Sequence, residues 1–205
     1  MDKYIKHQYV KTANSLEGKN YISAMIAYNA APTVKGLKPA SLINFTIGRK
    51  NRIELWKFYK DEICKEFDLE YIELREKFES LIVLFYKKEL LEWYLSKPSS
   101  QVFLDGLGYE GHMTLEEKLQ LLRERFSCSC PDEVGIFLGY PIEDIQGFIK
   151  NEGKNSLMCR YWKVYANPDR AQELFETYDK AKASIARSII SNTTLSSTDI
   201  NYRPN

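Results

Sequence analysis

The chain has 205 residues, which is long enough to bury one sizeable core and favours a single domain. Its 29 Lys and Arg residues nearly balance its 28 Asp and Glu residues, and 44% of its residues are hydrophobic, which excludes a chain that is disordered overall. The net charge of +1 provides no general field for nucleic acid, and a nucleic-acid partner is not expected.

The N-terminal segment, residues 1–20, is polar and is predicted to be loosely ordered, ahead of a single domain at residues 21–190. It contains no apolar run of signal-peptide length, and the longest apolar run of the chain, Leu81–Tyr86, is too short to span a bilayer. We therefore expect a cytoplasmic protein without a membrane partner. Residues Tyr21–Ala30 are apolar enough for a short helix or a buried strand, which periodicity cannot distinguish.

The next segment predicts a loop, a strand and a helix in turn. Two prolines and a glycine interrupt residues 31–41, which are expected to form a structured loop leading into a short strand near Leu42–Ile47. Asn51 is suited to cap the helix that follows. The apolar face of this helix comprises Ile53, Trp56, Ile63 and Phe67.

Residues 80–96 predict a β-hairpin, because apolar, β-branched and aromatic residues lie on both sides of the polar step Lys87–Glu89. A helix remains an alternative here, since Leu, Lys and Glu all favour helices. Helices interleaved with a few strands indicate an α+β fold. Its sheet is expected to be small, mixed or antiparallel, to include this hairpin, and to be covered by several helices.

Two later helices are predicted from their start signals. Thr114 and Glu117 have the spacing of a capping box, in which each side chain satisfies a backbone amide at a helix start. Asn167, ahead of Pro168, starts the last helix. The apolar stripe of that helix comprises Ala171, Leu174, Phe175, Tyr178 and Ala181. The polar residues 191–205 are predicted to form a disordered tail.

Between these two helices, Leu138–Asn155 reads as an interrupted helix. Its sequence breaks at Gly139–Pro141, restarts at the proline, and meets a natural helix end at Gly153. Gly135 and Gly147 indicate that backbone packs closely on backbone in this region. The interruptions are therefore expected to be architectural.

The chain contains three motifs: Ala-Pro-Thr followed by Gly-Leu-Lys-Pro-Ala at residues 31–40, Leu-Gly-Tyr-Pro at 138–141, and Gly-Lys-Asn followed by Tyr-Trp-Lys-Val-Tyr at 153–165. Together they resemble an uncharacterised family of Clostridia and related anaerobes that is known only as a domain of unknown function. The resemblance covers about residues 20–185. Members of that family are often encoded near flavodoxin-like or iron-related proteins, which implies a redox or iron setting.

The chain departs from this resemblance at two places. Relatives commonly carry His-Cys or a similar pair ahead of Ala-Pro-Thr, whereas this chain has Asn29 and Ala30. They commonly carry Pro-His-Glu where this chain has Pro131, Asp132 and Glu133. A shared mechanism based on a Cys-His pair is therefore not expected here.

The loop at residues 31–41 is the first candidate ligand site. Gly36 permits close approach of the backbone, and the amides of such a loop could form a nest for phosphate or carboxylate. The candidate binding residues of this loop are Thr33, Lys35, Lys38 and Ser41. The spacing of a Walker loop is absent. The alternative is a rigid turn that only directs the chain into the next strand.

The second candidate site follows the interrupted helix, where residues 159–165 predict one strand with alternating faces. One face would be apolar around Trp162, and the other would present a thiol, a phenol and an amine together. The candidate binding residues of this region are Tyr140, Lys154, Asn155, Cys159, Tyr161 and Lys163. The alternative is a strand with one core face and one solvent face.

Acidic and sulfur-containing residues give weaker signals. Glu133, Glu143 and Asp144 could bind a metal or transfer protons, yet the first turn of a helix favours acids without any function. Cys128 and Cys130 have no second pair with which to complete a zinc site. The sequence therefore predicts no metal site and names no catalytic residue or cofactor.

These observations favour a protein that binds a small anionic or redox-related ligand in a groove between residues 31–41 and 139–163. A second possibility is a non-enzymatic accessory protein that docks a flavodoxin-like or iron-handling partner through exposed aromatic and basic residues around 150–163. An enzyme of unknown reaction comes third, because no pair of titratable groups is marked as nucleophile and base.

Overall fold

A small antiparallel sheet lies between two layers of helices, in a computed structural model that describes residues 2–48, 50–127 and 129–199. The helices are α1 (Lys3–Ser15), α2 (Gly18–Asn29), α3 (Ala31–Val34), α4 (Arg52–Phe67), α5 (Lys88–Leu95), α6 (Pro98–Asp105), α7 (Leu115–Phe126), α8 (Val134–Phe137), α9 (Ile142–Lys150) and α10 (Pro168–Asp199). The strands are β1 (Ala40–Thr46), β2 (Glu70–Lys77), β3 (Ser80–Tyr86), β4 (Met158–Cys159) and β5 (Lys163–Val164). The predicted α+β class is confirmed.

β3 is the central strand of the main sheet, which has the order β1-β3-β2 and is antiparallel throughout. The register places Ala40 of β1 opposite Tyr86 of β3. α2 and α4 cover the face that carries Val83, and α5 to α8 cover the face that carries Leu84. Because helices cover both faces, β3 can be apolar at every position from Leu81–Tyr86.

The hairpin predicted at residues 80–96 is wrong in its position. Ser80–Tyr86 is the second strand of a hairpin with β2, and the residues after it form α5. The segment Lys88–Leu95 contains no β-branched residue, and Leu91 and Leu95 are one helical turn apart, so both point into the core beside the sheet. The helical alternative for this segment is the one that the structure has.

Three start signals read from the sequence are confirmed by cap hydrogen bonds. The Asn51 side chain accepts from the amide of Glu54 at 3.4 Å, at the start of α4. Thr114 and Glu117 form both hydrogen bonds of the capping box at the start of α7. The Asn167 side chain accepts from an amide in the first turn of α10 at 3.2 Å. Local chemistry therefore decides where these helices begin.

The helix break predicted at Gly139–Pro141 is confirmed, because α8 ends just before it and α9 begins just after it. Gly153 has a φ of 71°, and its amide donates to the carbonyl of Phe148 at 2.8 Å. This bond closes the end of α9 as predicted.

The single strand predicted for residues 159–165 is wrong. β4 and β5 have two residues each, and Cys159 lies opposite Lys163 across a tight turn. The expected alternation of faces fails because the consecutive residues Tyr161 and Trp162 both pack their rings on one phenylalanine of α10. Both side chains therefore face α10, whereas consecutive side chains of a regular strand would face in opposite directions.

The ends of the described chain pack on each other. Tyr9 and Ala13 of α1 are buried together with Ala186 of α10. Residues 1–20, expected from the sequence to be loosely ordered, thus contain a packed helix.

α10 continues to Asp199, within the tail expected at residues 191–205, and residues 200–205 lie outside the described residues. The division into one domain with a loose start and tail stays a prediction. In the described part of the chain, none of the helices combines the length and apolar composition that a membrane span requires.

Candidate functional site

A cavity of about 310 Å³ lies between α8, α9 and the turn that joins β4 to β5. Three of the residues predicted from the sequence line it, namely Tyr140, Tyr161 and Lys163. The other lining residues are Cys130, Pro131, Asp132, Val134, Gly135, Asp144, Ile145, Phe148 and Trp162. A concave, largely apolar space of this size with a few polar groups is typical of small-molecule sites. We name this space the aromatic cavity.

Tyr140 and Trp162 form one wall of the aromatic cavity. Their rings are stacked, with centroids 4.8 Å apart and planes 26° apart. The Tyr140 hydroxyl donates to the carbonyl of Tyr161 at 3.4 Å. Burial, with a smaller contribution from Cys130, raises the pKa of Tyr140 to about 12, so this phenol is uncharged at neutral pH. The wall therefore presents neutral ring surface to a ligand.

Asp144 holds this wall in place. Its buried carboxylate accepts the indole N–H of Trp162 at 2.7 Å, and the backbone amides of Tyr165 and Ala166 at 2.7 and 2.9 Å. A β-carbon at Gly147 would lie 2.4 Å from the β-carbon of Tyr165, so the close packing at this glycine is against a side chain and not, as expected, against backbone. Because three donors satisfy the carboxylate, its role is to fix the β4–β5 turn against α9.

Lys163 places a cation at the rim of the cavity. Its Nζ donates to the carbonyl of Gly153 at 2.6 Å and lies 5.7 Å from the ring centroid of Phe148. Among the described residues that line the cavity, Lys163 is the one with a basic side chain. It is exposed, so its ammonium can turn towards an anion without leaving a buried partner unpaired.

The loop at residues 31–41 does not line the cavity. The amides of residues 33–37 all donate to nearby backbone carbonyls, so the predicted amide nest for an anion does not form. Thr33 and Ser41 are buried and hydrogen-bonded to each other at 2.7 Å, and their hydroxyls hold the loop to β1. Lys35 is exposed.

The two motif regions nevertheless meet directly. Lys38 is 7% exposed, and its Nζ lies 5.3 Å from the ring centroid of Tyr140. A β-carbon at Gly139 would lie 2.5 Å from the Cδ of Pro39. These contacts bring the loop to the back of the aromatic wall, although not to the cavity itself.

Lys182 of α10 lies in the same region and was not among the predicted residues. Its Nζ lies 5.4 Å from the ring centroid of Tyr28 and 5.1 Å from that of Tyr161. Burial, with a smaller effect of the Lys182 charge, lowers the pKa of Lys38 to about 7, and burial also lowers the pKa of Lys182. The sequence contained one signal that Lys182 faces the interior, because Lys182 follows Tyr178 by one helical turn, beside the apolar stripe of α10.

The remaining predicted residues lie outside the cavity. Lys154 is exposed and forms a surface ion pair with Glu152 at 3.4 Å. Asn155 is exposed, with a left-handed φ of 58°, and Cys159 is exposed in β4. A ligand role for Lys154, Asn155 and Cys159 stays a prediction that no contact of the cavity supports.

The three acids near the helix break do not converge. The buried carboxylate of Glu133 is paired with Arg125 and accepts from the Tyr109 hydroxyl at 3.1 Å, whereas Glu143 is exposed. Within residues 2–48, 50–127 and 129–199, no group of three or more His, Cys, Asp or Glu side chains is arranged to hold a metal ion. Cys128 lies outside the described residues.

Comparison with known proteins gives a family without an activity. A family model described as "Protein of unknown function (DUF3793)" matches residues 26–198 of the chain. No curated protein and no solved structure matches it.

Proposed function

The chain belongs to the protein family of unknown function DUF3793, so its function has to be argued from its own residues, and we propose that it binds a small planar anionic ligand in the aromatic cavity. The observation that supports this proposal is the combination of neutral ring walls with the cation of Lys163 at the rim, in a lining that also contains the exposed carboxylate of Asp132. A planar ligand can bury its ring system beside Tyr140 and Phe148, while its anionic group is met by Lys163.

The proposed site is formed by fewer segments of the chain than the groove expected from the sequence. All of its lining residues lie within residues 130–163. Residues 31–41 do not contact the cavity and only support its wall, through the contacts that Lys38 and Pro39 make with the helix break. Redox-active heterocycles that carry acidic groups belong to the class of ligand that this lining would accept. The redox association thus remains part of the proposal.

A matched pair of probes tests the proposal. We expect 2-naphthoate, which is planar and anionic, to bind with saturable quenching of tryptophan fluorescence and with saturation-transfer NMR signals. The neutral isostere 2-naphthamide should bind more weakly, because it offers no charge to Lys163. In the variant Lys163→Met, the preference for naphthoate should fall by about three- to fivefold, as expected for an exposed charge contact.

Lys154→Met is the control, because Lys154 is equally basic but lies outside the cavity. A second pair of variants tests the walls. Phe148→Ala should weaken both probes by about tenfold through lost ring contact, whereas Phe78→Ala, at an exposed position of the β2–β3 hairpin, should not. Absence of saturable binding, or an unchanged preference in Lys163→Met, would contradict the proposal.

Partner docking is the alternative, and it is favoured by the exposed basic residues Lys150, Lys154 and Lys163 on one segment of the chain. Two measurements made without oxygen separate the two functions: native mass spectrometry of the purified protein, and a pull-down of partner proteins from a cell lysate. A small added mass that is lost in Phe148→Ala supports ligand binding. Salt-sensitive capture of one acidic protein, lost when Lys150 and Lys154 are both replaced by Met, supports docking instead.

A further inference from the structure

Lys38 is a buried lysine without a counter-charge. Its side chain is 7% exposed, and in the described part of the chain its Nζ makes no hydrogen bond and no ion pair. Buried charges in proteins are normally paired, because moving an isolated ammonium out of water is costly. Burial accordingly lowers the pKa of Lys38 to about 7, and a buried lysine that would be charged beside an anion is a candidate ligand-binding group.

Lys182 is a second lysine in this region, because it lies over Tyr161, whose carbonyl accepts from the Tyr140 hydroxyl at 3.4 Å. It is partly buried, and within the described residues it also lacks a hydrogen bond or ion pair. The acid one turn before it, Asp179, accepts from the Tyr161 hydroxyl at 2.9 Å and pairs with Arg160 at 2.7 Å. The charge of Asp179 favours the ammonium form of Lys182, but its oxygens are hydrogen-bonded to Tyr161 and Arg160.

Tyrosine rings surround both ammonium groups. Lys38 lies over Tyr140, and Lys182 lies over Tyr28 and Tyr161. Ring faces favour a charged ammonium, but they do not offset the repulsion between two like charges in a poorly hydrated place. An anion that contacts both lysines would offset it.

We propose that Lys38 and Lys182 form a binding site for an oxyanion group, either a phosphate or a carboxylate. Two ammonium groups can donate charge-assisted hydrogen bonds to separate oxygens of one such group. The partial exposure of Lys182 gives the anion a route from solvent. A bound anion would favour the charged form of Lys38 and raise its pKa from about 7.

This site is independent of the proposed function. Neither lysine lines the aromatic cavity, so the variants distinguish the two sites: Lys163→Met should leave phosphate and acetate binding unchanged, and Lys182→Met should leave the preference for naphthoate unchanged.

Isothermal titration calorimetry with sodium phosphate and with sodium acetate tests the site, in chloride buffer at constant ionic strength. We expect the unmodified protein to bind at least one of the two anions saturably. Lys38→Met and Lys182→Met should each weaken that binding by at least about tenfold, because each removes a charge-assisted donor. Preference for phosphate or for acetate identifies which oxyanion the natural ligand carries.

The controls are Lys35→Met, in the same loop, and Lys180→Met, on the same helix, because both lysines are exposed. Binding should be unchanged in both. If Lys38→Met does not fold, Lys182→Met decides the outcome, since Lys182 is less buried. Failure of the unmodified protein to bind either anion, or full binding in the Lys182 variant, would overturn the proposal.

Discussion

Pro39 and Gly139 meet so closely that a β-carbon on residue 139 would lie 2.5 Å from the Cδ of Pro39. Gly139 also has a φ of 73°, in the region that glycine adopts without strain. This contact joins the loop before β1 to the break between α8 and α9. It thereby sets the position of Lys38 over the ring of Tyr140.

We expect Gly139→Ala to lower the free energy of unfolding by about 3 kcal/mol, from the left-handed φ together with the steric overlap. Gly36→Ala is the matched control, because Gly36 has a φ of 68° but no atom within 4 Å of its β-carbon position. Its cost should be about 1 kcal/mol, from the backbone alone. Urea unfolding measures both, and equal costs would show that the Pro39 contact is unimportant.

Removing the Asp144 carboxylate should loosen the β4–β5 turn. Asp144→Ala leaves the indole N–H of Trp162 and two backbone amides without their acceptor, at an expected cost of about 3 kcal/mol. Glu143→Ala, at the exposed neighbouring position, should change stability by less than about 0.5 kcal/mol. Chemical unfolding followed by tryptophan fluorescence provides the measurement. A neutral effect of Asp144→Ala would mean that the turn is held by ring packing alone.

The buried hydroxyl pair of Thr33 and Ser41 should behave as a unit. Thr33→Val leaves the Ser41 hydroxyl unpaired and should lower the free energy of unfolding by about 1–2 kcal/mol. Ser41→Ala should have a similar effect, because it leaves the Thr33 hydroxyl unpaired. The double variant should cost less than the sum of the two single variants, because no unpaired hydroxyl then remains. A double-mutant cycle in urea measures the coupling. Strict additivity would argue against the hydrogen bond.

Lys38 should make the protein more stable as pH rises from 7 to 10. Its pKa is lowered to about 7 in the folded state, whereas that of an unfolded lysine is about 10.4. Across this interval the unfolded state binds the proton and the folded state does not, so the free energy of unfolding increases with pH. Below pH 7 both states are protonated, and the cost of burying the charge is constant.

Lys38→Met is expected to lack this pH dependence. The difference between the two proteins is the useful quantity, because groups such as Tyr140 and Cys64, whose pKa values are raised by burial, are present in both and cancel. Urea unfolding at several pH values in chloride buffer gives the two profiles. Parallel profiles would show that Lys38 titrates normally in the folded protein.

Local signals in the sequence are sufficient for much of the helical structure. Asn51, Thr114 with Glu117, and Asn167 cap helices through side chains that act within three residues of each start, and the structure confirms all three. The same holds for the break at Gly139–Pro141, because proline and glycine act on their own backbone. These features need no knowledge of tertiary contacts.

The features that were mispredicted depend on contacts between distant residues. Residues 159–165 contain two short strands joined by a turn in place of one continuous strand, since Trp162 is bound by Asp144 and packs on α10. Residues 88–95 are helical because Leu91 and Leu95 face the helical layer beside the sheet. Neither arrangement can be read from alternation or composition in a short window.

The candidate site likewise combines residues that could be predicted from local motifs with residues whose environment depends on distant contacts. Tyr140, Tyr161 and Lys163 were predicted from their motifs and line the cavity. Thr33 and Ser41 were predicted as ligand residues, yet their hydroxyls bond to each other. Lys182 carries no motif, and its importance appears only when α10 brings it beside the rings of Tyr28 and Tyr161.

The packing of α1 on α10 has a consequence for the order of folding during synthesis. The sheet and its two helical layers are built from the chain between these helices and can close while translation continues. Tyr9 of α1 can stack on Tyr28 as soon as α2 has been made, with ring centroids 3.9 Å apart, yet Tyr9 and Ala13 contact Ala186 only after α10 has emerged. α1 therefore completes its native contacts late, and the part of its apolar face that packs on α10 is open to chaperones until then.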